Sequence, residues 1–142
     1  MKARWGLLLA GLFAIIIVFQ IFSFRLNEDL AIQTMTRIGV AQKRYWEDAG
    51  RHKYGDLRDL VALGLLDKAL ADGSDHGYIF EIRYADDHYF YASAKPARYG
   101  NSSYWGTGAL SVFVDTSGKA RAEYKNGEDL SPDDFPDLQR GK

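Results

Sequence analysis

The chain of 142 residues contains no cysteine. That absence excludes a disulfide framework, a lipid-attached cysteine and any thiolate metal site, and it leaves packing as the source of stability. Histidine is scarce as well. His52, His76 and His88 all fall in expected loops, with no second imidazole three or four residues away, so no zinc spacing is present. No nucleophile elbow surrounds Ser102, Ser103 or Ser117, and Gly106-Thr107-Gly108 lacks the strand-to-helix setting and third glycine that phosphate binding needs. The reading is of a protein that is not an enzyme and has no cofactor. An excess of positive charge is also missing: with Lys2 and Arg4 set aside, 16 basic side chains face 19 acidic ones, a net charge of −3 with no basic stripe. Nucleic acid is not expected as a partner.

What the chain does have is an uncharged run of twenty residues, Trp5 to Phe24, behind the basic start Met-Lys-Ala-Arg. A helix of about 20 residues covers roughly 30 Å, the hydrocarbon thickness of a bilayer. Its only polar side chains are Gln20 and Ser23, near one end. Lys2 and Arg4 precede the run, whereas Arg25 is followed at once by Glu28 and Asp29, so the charge bias puts the N-terminus in the cytoplasm and exports the rest. The run is longer than a usual signal core and no Ala-x-Ala-like site follows it, which reads as an uncleaved anchor. Residues 1–24 are thus assigned to a cytoplasmic start and transmembrane helix, and residues 25–142 to one exported domain.

Within that domain, Leu26, Leu30, Ala31, Met35, Ile38, Ala41, Tyr45 and Trp46 recur at spacings of three and four, which predicts an amphipathic helix over 25–50. No proline interrupts residues 1–49, so anchor and stripe are expected to be one helix, with a weak point at Gly39 and a left-handed stop at Gly50. Residues 51–77 should hold a short helix capped by Asp56, with Leu57, Leu60, Val61 and Leu63 inward and Gly64 as its end. Residues 78–125 read as two hairpins, 78–84 with 89–95 around Asp86-Asp87 and 110–115 with 119–125 around Thr116-Ser117-Gly118. The expected fold class is α+β, a four-stranded antiparallel sheet covered by the helix stripe. The tail 126–142 is acidic, contains Pro132 and Pro136, and is expected to wrap loosely.

This layout resembles the type IV pilin-like proteins, and within them the pseudopilin-like subunits of type II secretion. The resemblance covers residues 25–125 and is carried by Tyr54-Gly55-Asp56-Leu57-Arg58-Asp59-Leu60, Gly64-Leu65-Leu66-Asp67, Leu70-Ala71-Asp72-Gly73 and Gly77-Tyr78-Ile79-Phe80, then by Pro96, Tyr99-Gly100, Gly108, Phe113, Asp115 and Gly118. It implies a structural subunit of a secretion or pilus-type assembly, in the bacterial inner membrane, with an extracytoplasmic domain. The family's processing motif, Gly followed by Phe-Thr-Leu-x-Glu, is not present, since Gly6 and Gly11 are followed by Leu7-Leu8-Leu9 and Leu12-Phe13-Ala14 and no Glu precedes Glu28. A permanently anchored relative is the expectation, because a carboxylate in lipid is costly without a partner.

The expected partners are membrane lipid and other pilin-like or secretion-apparatus subunits, copies of this chain among them. Gly6, Ala10, Gly11 and Ala14 supply small side chains that allow close helix approach in the span. Tyr99, Tyr104 and Trp105, in the aromatic loop 96–108, are the candidate contact surface of an alternative, a membrane-tethered binding module. Related pseudopilins carry calcium in a late loop, which directs attention to Glu128, Asp129, Asp133 and Asp134; their spacing matches no calcium loop and reads as a solvated tail.

Overall fold

The computed structural model describes residues 2–100 and 106–139. Helix α1 runs unbroken over Lys2–Arg44 and closes in a π-helical turn at Tyr45–Ala49. At about 1.5 Å per residue the 43 residues of α1 extend roughly 65 Å. From Gly6 to Phe22 nearly every side chain is exposed. From Ala31 onward one face is buried: Ala31, Thr34, Met35, Ile38, Ala41 and Gln42. The stripe differs from the expected one at Leu26, which is 44% exposed because the sheet begins only beside Glu28. The helix continues unbroken through Gly39, where a Cβ would stand 3.1 Å from a Val114 methyl and 3.4 Å from Gly118 Cα. The glycine that costs helix propensity is thus a point of close approach to the sheet.

Gly50 is not the left-handed stop. Its φ is −76°, its N–H reaches back five residues to the Tyr45 carbonyl, and the positive φ falls on Arg51 and His52 instead. A side chain at 50 would collide with the Lys53 carbonyl and the Tyr45 ring, so the position is small because the chain folds back tightly upon the helix end.

Helix α2, Leu57–Ala62, starts on Asp56 in a reciprocal capping box with Asp59 and ends before Gly64 at φ +69°. Leu60 is buried, but Leu63, expected inward, is exposed because it lies past the last turn. A 3₁₀ turn at Lys68–Asp72 leads into the sheet. That sheet has five strands, one more than expected: β1 Ser74–Asp75, β2 Tyr78–Ala85, β3 Phe90–Pro96, β4 Leu110–Asp115 and β5 Arg121–Tyr124, in sequential antiparallel order. The extra strand is two residues long, too short to leave an alternation. A register shift between Ile82 and Tyr84 makes Arg83 a bulge. Tyr78, Phe80 and Ile82 face the helix, whereas Tyr84 passes to the opposite face and stacks on Tyr91 at 6.4 Å.

The main core joins α1 to the sheet through Met35, Ile38, Phe80, Phe90, Val112 and Val114. A second core occupies the far face. Phe113, Leu130 and Phe135 are buried there, with Tyr91 and Leu138 against them. The tail therefore does not wrap loosely. It forms a 3₁₀ turn at Pro132–Asp134 and helix α3 at Pro136–Gln139, pinned by Ser111 Oγ donating to the Glu128 carbonyl at 2.6 Å and by Arg121 holding Asp137 at 2.6 Å.

Two tail carboxyls sit below the usual carboxylate range: Asp134, chiefly through its hydrogen bond from Lys125 and then from Ser131, and Asp137, chiefly through Arg121. A depressed folded-state pKa means that the contribution is complete above the unfolded value, about 4, and is lost as pH falls through the folded value. Protection factors for amides 130–138, corrected for intrinsic exchange, are expected to drop as the pH is lowered from about 5 to 3 while those of β2 and β3 hold. Equal loss in tail and sheet would show that these pairs do not hold the tail.

Candidate functional site

Where the apolar run ends, the helix is tied to the sheet by polar side chains. Asn27 donates its amide to the Thr107 carbonyl at 3.0 Å. Glu28 Oε1 accepts from the backbone N–H groups of Ala109 and Leu110, at 2.9 and 3.2 Å. Behind it the fully buried Tyr78 donates its hydroxyl to the Leu110 carbonyl at 3.0 Å. Burial first, and then the charge of Glu28, push the Tyr78 phenol well above its ordinary pKa. Gly108 is glycine because the Tyr78 ring occupies the space of a side chain.

This junction carries the ends of the aromatic loop. Tyr99 bridges to Gly108, the Gly100 N–H donates to the Gly108 carbonyl at 3.0 Å, and Thr107 N–H donates to the Arg98 carbonyl at 2.8 Å. Tyr99 donates its hydroxyl to Asn126 at 3.1 Å and stays 37% exposed. Tyr104 and Trp105, the other two aromatic candidates, lie outside the described residues. Gly6, Ala10, Gly11 and Ala14 are exposed, and a Cβ on Gly6 or Gly11 would meet nothing within 4 Å. At about 100° per residue Gly6, Ala10 and Ala14 share an arc of roughly 80°, with Gly11 beside it. Among the described residues, the helix bearing them is long and apolar enough to cross a membrane.

At the other end of α1, Gln42 is fully buried. Its amide nitrogen donates to the Gly55 carbonyl at 2.7 Å, and its oxygen accepts from Gly55 N–H at 3.0 Å. Trp46 donates its indole N–H to the Asp87 carbonyl at 3.0 Å, which ties the β2–β3 turn to the helix end.

Asp86, Asp87 and His88 are the one set of three carboxylate or imidazole side chains, among the described residues, whose ligand atoms all lie within 4.8 Å of one another. Asp86 is already engaged: one oxygen accepts from the N–H groups of His88 and Tyr89, the other from the Tyr84 hydroxyl. The Tyr84 hydrogen bond, then those backbone bonds, lower its pKa. The set closes a turn. Of the tail carboxylates considered for calcium, two are engaged elsewhere: Asp129 accepts from Lys95 at 2.8 Å and from Ser93 at 3.1 Å, and Asp134 from Lys125.

Compared with protein-family models and with the curated proteins, the chain finds no match. The long helix packed on an antiparallel sheet is compatible with a pilin-like arrangement.

Proposed function

We propose that the chain is a non-enzymatic, single-pass membrane subunit of the pilin and pseudopilin kind, with its N-terminus in the cytoplasm and residues 25–142 outside the bacterial inner membrane. It works by assembling with other subunits of a secretion or pilus-type apparatus, its own copies included. The observation that supports this reading is the division of one continuous helix between two surroundings. Its first half exposes Leu7, Leu8, Leu9, Phe13, Ile15 and Phe19 all round, and its second half is packed against a sheet. In water such a surface would drive aggregation; in a bilayer it is solvated, and contact between helices is then set by small side chains.

Because the chain has no cysteine, single cysteines report that contact directly. Ala10→Cys and Ala14→Cys are expected to give disulfide-linked products in native membranes, whereas Leu12→Cys, on the opposite side of the helix, is not. Only free monomer at every position, or crosslinking indifferent to the face, counts against assembly through the span. Protease access to the loop at Arg98 in spheroplasts tests the orientation, and resistance with an intact bilayer reverses it.

A further inference from the structure

We propose that the end of the domain nearest the span is itself a membrane contact, seated in the headgroup layer of the bilayer that α1 crosses. This rests on the anchoring reading above and adds a second, non-helical point of attachment. The position follows from chain geometry. Asn27 and Glu28 lie about 4.5 and 6 Å along the axis beyond Phe24, the last residue of the apolar run, at 1.5 Å per residue. The headgroup layer on one side of a bilayer is roughly 5–7 Å thick. Thr107, Ala109 and Leu110, which are hydrogen-bonded to Asn27 and Glu28, therefore stand at headgroup depth.

The residues paired with that loop share the level. Tyr124 lies directly across from Leu110 in the β4–β5 ladder and is 74% exposed, on the sheet face that carries the helix. Tyr99 is bridged to Gly108. Leu26, and the exposed Arg25 and Arg98, complete the rim. An exposed tyrosine alone means nothing, since much of any protein surface is apolar. The rim is informative because Tyr99, Tyr124, Arg25 and Arg98 each join an apolar body to a polar tip and, with Leu26 beside them, sit at the one depth where both parts are satisfied. The same account explains why Leu26 is left uncovered by the sheet: the bilayer boundary covers it. Asp29 stands near Arg25, so the fit is to the interface itself and not to a net anionic surface.

The test uses the full chain in vesicles of dioleoylphosphatidylcholine, with single cysteines at Tyr99, Tyr124, Val40 and Phe19, each labelled with bimane. Nitroxide carried on the lipid headgroup is expected to quench the labels at Tyr99→Cys and Tyr124→Cys. It should leave Val40→Cys, about 24 Å past Phe24, unquenched. Nitroxide within the acyl chains should quench Phe19→Cys. If Phe19→Cys is quenched while Tyr99→Cys and Tyr124→Cys behave like Val40→Cys, the anchor stands and the rim contact is wrong. If Phe19→Cys is quenched by neither lipid, the anchor itself fails and the rim contact with it.

Discussion

Phe113→Ala is expected to cost about 3–5 kcal/mol in urea unfolding of the full chain in detergent, and to release the tail from the sheet. Phe113 is fully buried on the face turned away from α1, with Tyr91 at 5.8 Å and Phe135 at 5.1 Å between ring centroids. Leu130 is buried beside it, and the Arg121 guanidinium lies 5.1 Å over the Phe135 ring while its nitrogen holds Asp137. These groups form one unit. Truncating its centre removes the surface that Leu130 and Phe135 bury, so hydrogen exchange should show residues 128–138 losing protection first. Phe135→Ala separates tail release from damage to β4: it should free the same amides while β4 stays protected. A cost below about 1 kcal/mol for Phe113→Ala, with the tail still protected, would mean that the second core contributes little.

That second core was the part of the fold least visible in the sequence, for a physical reason. Glu128, Asp129, Asp133, Asp134 and Asp137, with two prolines, give the tail the composition of a solvated segment. Its structure rests on Leu130, Phe135 and Leu138, whose spacing of five and three fits neither a helix nor a strand, because a 3₁₀ turn intervenes. The signal available was on the sheet: Tyr91 and Phe113 both fall on the face opposite the helix stripe, and two large rings facing outward called for a cover. The long helix, the Asp56 cap and both hairpins were legible because each is fixed by local periodicity or by a turn residue. Leu26 and Leu63 were misplaced because periodicity gives a face of a helix and not where the covering element starts or stops. Of the candidate contacts, Tyr99 and the four small residues of the span are exposed, as a contact surface requires. The polar tie at Asn27 and Glu28 left no pattern at all: its partners lie 80 and more residues away in the chain.

Gln42→Ala should destabilise the domain by about 2–4 kcal/mol, nearly as much as losing a core ring, although periodicity alone would have passed it over as a polar interruption of the stripe. The side chain is fully buried and satisfies both backbone polar groups of Gly55, donating to its carbonyl and accepting from its N–H. Removing it leaves a buried N–H and a buried carbonyl unpaired, each costing about 1–3 kcal/mol, offset in part by local rearrangement. Gln42→Met tests whether pairing or volume matters, since it fills the same space with no hydrogen bonds; it should fall close to Gln42→Ala. Gln42→Glu discriminates further. A carboxylate can still accept from Gly55 N–H, but its second oxygen would then face the Gly55 carbonyl, so this variant should be destabilised at neutral pH and recover as acid restores a donor. The sign is that of a carboxyl whose folded-state pKa is raised: its relative stability is greatest below the unfolded value, about 4, and falls as pH rises through the folded one. A Gln42→Met variant as stable as the parent would show that filling the space under the 51–56 loop, and not the amide pair, is what joins that loop to the helix.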